Sequence, residues 1–96
     1  MNIYCVGSLA IDIIVYIENW PEEHTKLSTN AYVVSGGGSG ANTAVELARR
    51  QKNVFLLSGI GHDVFGQMAL RGVQEAGVDT SLVIQDSSWK TRCALI

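Results

Sequence analysis

Asp12 is the residue whose surroundings most need a chemical reason, because it is a carboxylate set between Leu9-Ala10-Ile11 and Ile13-Ile14. An ionised group in such company is costly unless it is paired, hydrogen-bonded or turned to a polar cavity. Facing a cleft, it accepts two hydrogen bonds in fixed geometry, which suits a polyhydroxylated ligand. The alternative is a turn residue or helix cap just after Gly7-Ser8. A second candidate is the cluster Gly36-Gly37-Gly38-Ser39-Gly40. Glycines there let the backbone take positive φ and approach a ligand, and a following helix start offers N–H groups to hydroxyls or anions. A tight strand-to-helix turn accounts for the same composition equally well. Asn42 comes next. Its amide donates and accepts at once, so it can address a sugar hydroxyl, or it can cap the helix.

Other chemistries fit less well. Gly36-x-Gly38-x-x-Ala41 has the form of a dinucleotide fingerprint. It follows a later strand instead of the first, and the next strand ends at Ser58-Gly59 without the acidic residue that holds a ribose. A dinucleotide-binding domain rests on that spacing alone. A phosphate-binding loop needs Gly-Lys-Ser/Thr, whereas Gly40 is followed by Ala41-Asn42. Asp63 reads as a helix cap and His62 as an exposed loop residue. Cys5 and Cys93 have no thiol or histidine at metal-ligand spacing and read as buried or half-buried free thiols. No catalytic residue and no metal ligand is assigned.

The elements that must position these residues follow from periodicity. Asn2 to Val6, Ile11 to Ile17 and Thr29 to Ser35 read as strands, the latter two as an antiparallel ribbon. From Asn42 the period becomes helical, with Ala41, Ala44, Val45 and Ala48 on one face. Thr43 with Glu46 matches a capping box, and Arg49, Arg50 and Lys52 suit a helix C-terminus. Val54 to Leu57 reads as a buried strand ending at Ser58-Gly59. A second helix starts at Asp63, with Val64, Phe65, Met68, Ala69, Gly72, Val73 and Ala76 as its apolar stripe, and stops at Gly77. Ser81 to Ile84 and Thr91 to Ile96 are β-rich. Alternating strands and helices indicate an α/β fold with a mainly parallel sheet.

Composition bounds the function. The chain has 96 residues, 47% hydrophobic and 17% charged, with a net charge of −2. One domain is expected, and the apolar content excludes disorder. Seven basic residues against nine acidic ones, with no basic block, exclude a nucleic-acid partner. The run from Ile3 to Ile17 is interrupted by Gly7, Ser8 and Asp12, so no membrane span is expected. No basic segment precedes it as a secretory leader would require, so the cytoplasm is the expected compartment.

In order and spacing these residues resemble the N-terminal part of the ribokinase-like (PfkB) carbohydrate kinase family, over essentially all 96 residues. Val6-Gly7-Ser8-Leu9-Ala10-Ile11-Asp12 is similar to its opening strand and sugar-contacting aspartate. Gly37-Gly38-Ser39-Gly40-Ala41-Asn42-Thr43-Ala44 is similar to its first signature. Gly61-His62-Asp63-Val64-Phe65-Gly66 resembles its G-x-D-x-F-G element, and Gly77-Val78 with Thr91 to Ile96 continues in register.

The resemblance implies a ribokinase-like α/β fold. These residues would form the N-terminal part of a mainly parallel three-layer sheet within one kinase domain, with a small β lid from residues 11–17, 29–35 and 91–96. It implies a sugar or nucleoside as acceptor and ATP with Mg as donor. Asp12 would hold substrate hydroxyls, Gly37 and Gly38 would let the backbone close over the sugar, and Asn42 would bind another hydroxyl. Ribokinases proper carry a lysine where Ser39 stands, so ribose is not the favoured acceptor. The family's second signature, which supplies the catalytic base, has no counterpart here. Length 96 therefore reads as about the first third of a kinase, inactive by itself and without the nucleotide site. A homodimer through the lid strands is one assembly the sequence leaves open. The rival reading is a non-catalytic binding module that pairs through the apolar strand ending at Ile96.

Overall fold

The computed structural model describes residues 1–50 and 52–96. Its first strand, β1 (Asn2–Val6), turns Ile3 and Cys5 inward and leaves Tyr4 and Val6 outside, as a period of two requires. β2 (Ala10–Val15) and β3 (Tyr32–Gly37) follow, then helix α1 (Ser39–Arg49), β4 (Asn53–Gly61), helix α2 (Val64–Glu75), β5 (Val83–Asp86) and β6 (Arg92–Leu95). Two sheets result. One is parallel, in the order β1-β4-β5, with β1 beside the first half of β4 and β5 beside its second half. The other has the order β3-β2-β6, antiparallel between β2 and β3 and parallel between β2 and β6.

The core lies between the parallel sheet and the two helices. Cys5, Val54, Leu56 and Ile60 from the sheet meet Ala41 and Ala44 of α1 and Ala69 and Val73 of α2. Leu9 and Ile11 extend this cluster into the second sheet. The opposite face of the parallel sheet carries Tyr4 stacked on Phe55, ring centroids 5.1 Å apart, with exposed Val6 and Ile84. Parallel sheets are normally covered on both faces, so this apolar row is surface that a buried sheet would not leave in water. The radius of gyration is 15.5 Å, against about 12–13 Å for a compact domain of this length.

Several expectations need correction. Helix α1 begins at Ser39, three residues before Asn42, and its cap position is Gly38, with no side-chain cap bond. The Thr43–Glu46 capping box does not form: the Thr43 hydroxyl donates to the Ser39 carbonyl and Glu46 pairs with Arg50. β4 runs through Ser58-Gly59 to Gly61 instead of stopping at Leu57, because Ser58 to Gly61 pair with β5, and the bare Gly59 lets the Trp89 ring lie against the strand. On α2 the buried positions are Gly66, Ala69 and Val73, whereas Val64 and Met68 are 72% and 42% exposed. The helix rests its small residues on the sheet, which rotates those two outward. Cys93 is exposed, because β6 is an edge strand with no layer over it; Cys5 is buried as expected. Gly36 and Gly37 lie inside β3 of an antiparallel pair, so no dinucleotide fingerprint follows the first parallel strand.

Candidate functional site

The link between β1 and β2 sets the start of α1. Gly7 and Gly40 approach so closely that a Cβ on Gly40 would lie 2.6 Å from the Gly7 Cα. This contact lets Ser8 reach the helix start. Its Oγ accepts from the Ser39 N–H at 3.1 Å and its carbonyl accepts from the Ala41 N–H at 3.0 Å. Two otherwise orphaned helix donors are thus satisfied by a residue 31 positions upstream of the first of them. Gly38 makes the turn at φ 97°, and any side chain there would overlap the Ser8 carbonyl.

Asp12 is half-buried on β2, opposite Ser35 on β3. Its carboxylate lies against the bare Cα of Gly37, where an added Cβ would come within 2.6 Å of Asp12 Oδ2. Asp12 and Gly37 therefore form one wall. On the other face of this sheet, Ile11 is buried in the core and Gly36, its partner, opens onto a cleft of about 410 Å³ between α1 and α2. Gly37, Asn42, Glu46 and Arg49 also line that cleft. Asn42 sits within the first turn of α1, its N–H donating to the Gly38 carbonyl at 2.9 Å, so it is not the helix cap. The structure thus joins Asp12 to Gly37 and Gly37 to Asn42. Asp12 itself is not among the described residues lining the cleft.

The Gly61–Gly66 segment is a structural clamp. Asp63 caps α2, its Oδ1 accepting from the Gly66 N–H at 2.7 Å. The same carboxylate accepts from the Thr91 hydroxyl at 2.6 Å and, through Oδ2, from the Thr91 N–H at 2.9 Å. Thr91 Oγ1 in turn accepts from the Gly61 N–H at 3.0 Å. The Thr91 hydroxyl, its N–H and the Gly66 N–H hold the Asp63 carboxyl below its ordinary value of 3.8. Thr91 is the one buried polar side chain among the described residues. It stands at the root of β6, so this carboxylate ties the second sheet to the body of the fold. Sequence reasoning found the Asp63 cap and His62 is exposed as expected, but the roles of Ser8 and Thr91 were missed. The only available signal for Thr91 was a hydroxyl at the start of an apolar strand.

Among the described residues no three His, Cys, Asp or Glu side chains gather as a metal site would require. Nor is any helix long and apolar enough to cross a membrane.

Compared with known proteins, residues 1–96 match the family described as pfkB family carbohydrate kinase. The chain is 34% identical over 83 residues to the deoxyribokinase of Salmonella typhi, covering 86% of this chain and 27% of that enzyme. It is 32% identical over 79 residues to the ATP-dependent ribose-1-phosphate kinase of Halopiger xanaduensis, covering 82% of this chain and 27% of the other. Among solved structures, the fructokinase of Xylella fastidiosa with bound ATP superposes at a TM-score of 0.80 with 31% identity, over 98% of this chain and 28% of that one. The chain thus spans under a third of the length of these relatives.

Proposed function

Because the chain belongs to the pfkB family of carbohydrate kinases, we propose that it carries the acceptor-binding part of an ATP-dependent sugar or nucleoside kinase. An acceptor hydroxyl attacks the γ-phosphorus of ATP, the bond to the bridging oxygen breaks, and ADP leaves. The observation that supports this reading best is the contact between the Asp12 carboxylate and the bare Cα of Gly37. A carboxylate on a strand, beside a backbone without a side chain, accepts two sugar hydroxyls where the ring can lie close. Gly38 sets the turn that brings α1 to the site, and the exposed Asn42 amide addresses a further hydroxyl.

On this reading the sheet β3-β2-β6 is a lid, closing over the acceptor so that water does not compete for the phosphate. The catalytic base and the Mg-ATP site belong to parts of the kinase outside these residues, so the 96-residue chain by itself transfers no phosphate. An ATP-bound relative supports the donor. The reaction would run in the cytoplasm, where ATP is available.

The test is ATP-dependent phosphorylation by the intact protein over a panel of sugars, nucleosides and their monophosphates. Asp12→Asn should raise the acceptor KM by about 10- to 100-fold, the loss expected for hydrogen bonds to a charged group. Absence of turnover with every acceptor overturns the proposal.

Self-association is a second reading, supported by an apolar hollow on the lid sheet. Ile13, Val15, Tyr32 and Leu95 line it, together with Trp20, which is 88% exposed. Concentration-dependent dimerisation in sedimentation, abolished by Trp20→Asp, is the expected result; a monomer at all concentrations removes this reading.

A further inference from the structure

The Gly61-His62-Asp63-Val64-Phe65-Gly66 element holds more than a helix cap requires. A cap needs one oxygen, and serine, asparagine or aspartate supplies it equally well. Asp63 uses both of its oxygens: Oδ1 accepts from the Gly66 N–H and the Thr91 hydroxyl, and Oδ2 accepts from the Thr91 N–H. An asparagine would bring one acceptor and an amide N–H2 that faces the Thr91 N–H, so it is the Thr91 end that needs a carboxylate. Both glycines of the element make room for this arrangement. A Cβ on Gly61 would lie 2.9 Å from Asp63 Oδ2, and one on Gly66 would lie 2.7 Å from Thr91 Oγ1. The spacing of the element is therefore built around a residue 28 positions away.

Thr91 is the root of β6, a strand whose own side chains do not anchor it. Arg92 to Leu95 are all exposed, and the ladder of β6 is made to β2. The other two strands of this sheet meet the body through packing, β2 at Ile11 in the core and β3 through Gly38 against the Ser8 carbonyl. The sheet β3-β2-β6 thus stands on three supports, and Asp63 supplies the one under β6. Register carries that support to the acceptor carboxylate. Ala94 is the β6 partner of Asp12, and it lies about 10 Å along the strand from Thr91.

Resting on the kinase reading above, we propose that Asp63 and Thr91 are positioning residues for the acceptor: they fix the tilt of the β6 edge of the lid and, through the β6–β2 register, the place of the Asp12 carboxylate. They act through Asp12. When the tie is cut, the root of β6 is free to swing away from α2 while its ladder to β2 stays formed, and Asp12 is carried with it. A displacement of about 1 Å in a group that orients a substrate costs up to about 100-fold. On the same reading the nucleotide site lies outside these residues, so ATP binding does not depend on the tie.

The experiment uses the intact protein, with KM for acceptor and for ATP measured separately beside a thermal melt. Asp63→Asn keeps an oxygen for the Gly66 N–H but loses Thr91, so it should raise the acceptor KM by roughly 10-fold and leave the ATP KM unchanged. Thr91→Val should do the same with the α2 cap whole, and it stands in if Asp63→Asn fails to fold. Thr91→Ser keeps the hydroxyl and should hold the parent KM. Because the two side chains form one contact, the double variant Asp63→Asn with Thr91→Val should be no worse than the worse single. A tie that serves stability alone would lower kcat in proportion to the unfolded fraction and leave both KM values where they are, and that result overturns the proposal. Equal rises in the acceptor and ATP KM overturn it as well. If the parent turns over no acceptor, the kinase reading falls and amide exchange decides. Faster exchange in Asp63→Asn along β6 and at Ile11 to Ile13, with β1 and β4 unchanged, supports the positioning role; unchanged exchange there overturns it.

Discussion

Thr91→Val tests the clamp with almost no change of shape. Valine fills the same volume, so no cavity opens, and only the hydroxyl is lost. That hydroxyl accepts from the N–H of Gly61, which is buried, and donates to Asp63. The half-exposed Asp63 carboxylate can turn to water, so its loss is left out of the magnitude. The Gly61 N–H cannot, because Gly61 is covered by the Trp89 backbone and the Asp63 side chain. An orphaned buried donor costs about 1–3 kcal/mol. Urea unfolding should therefore show that destabilisation at unchanged slope, followed by circular dichroism and by the fluorescence of Trp89 against Gly59. Amide exchange should rise first at Gly61 and Thr91. A Thr91→Val protein within about 0.5 kcal/mol of the parent, with Gly61 still protected, would refute the claim that this hydroxyl holds β6 to the fold.

Gly38→Ala forces an L side chain to φ 97° against the Ser8 carbonyl. It should cost more than the about 1–2 kcal/mol of the left-handed conformation alone, whereas Gly36→Ala meets nothing within 4 Å and serves as the comparison in thermal melts. Equal melting of the two would contradict the turn geometry. Gly37→Ala should displace the Asp12 carboxylate and raise the acceptor KM with little change in global stability, measured by steady-state kinetics beside a melt. Asp63 is held below 3.8, so its contribution is present above that pH and is lost as pH falls through the depressed value. Asp79 and Asp86, lowered by Ser81 and Ser88, act in the same sense. Asp63→Asn should therefore reduce, without abolishing, the acid-side loss in a pH series of urea midpoints. An unchanged series would exclude Asp63 from it.

Much of this molecule was legible before any fold was known. The order of strands and helices, the Asp63 cap and the Gly77 stop follow from period, propensity and capping, which act over a few residues. The glycine cluster was legible as a turn at a helix start for the same reason. Helix α1 was placed three residues late because its first donors are satisfied by Ser8, and a local pattern cannot register a partner 31 residues away. The stripe of α2 was drawn too wide, since apolar period alone does not say which flank meets the sheet when small residues make the contact.

What the tertiary structure alone decided is which distant groups share a wall. Asp12 meets Gly37 because β2 and β3 pair in one register, and a shift by a single residue would turn Asp12 to the core face. Arg92 falls on the same face of the second sheet as Asp12, one pair along the register, because β6 pairs with β2 instead of continuing the sheet of β5. Asp63 reaches Thr91 across 28 positions through the same crossover. Such contacts depend on register and topology, which only the simultaneous burial of all the elements selects. Local residue types therefore determined the chemistry available, and the packing determined which of it came together.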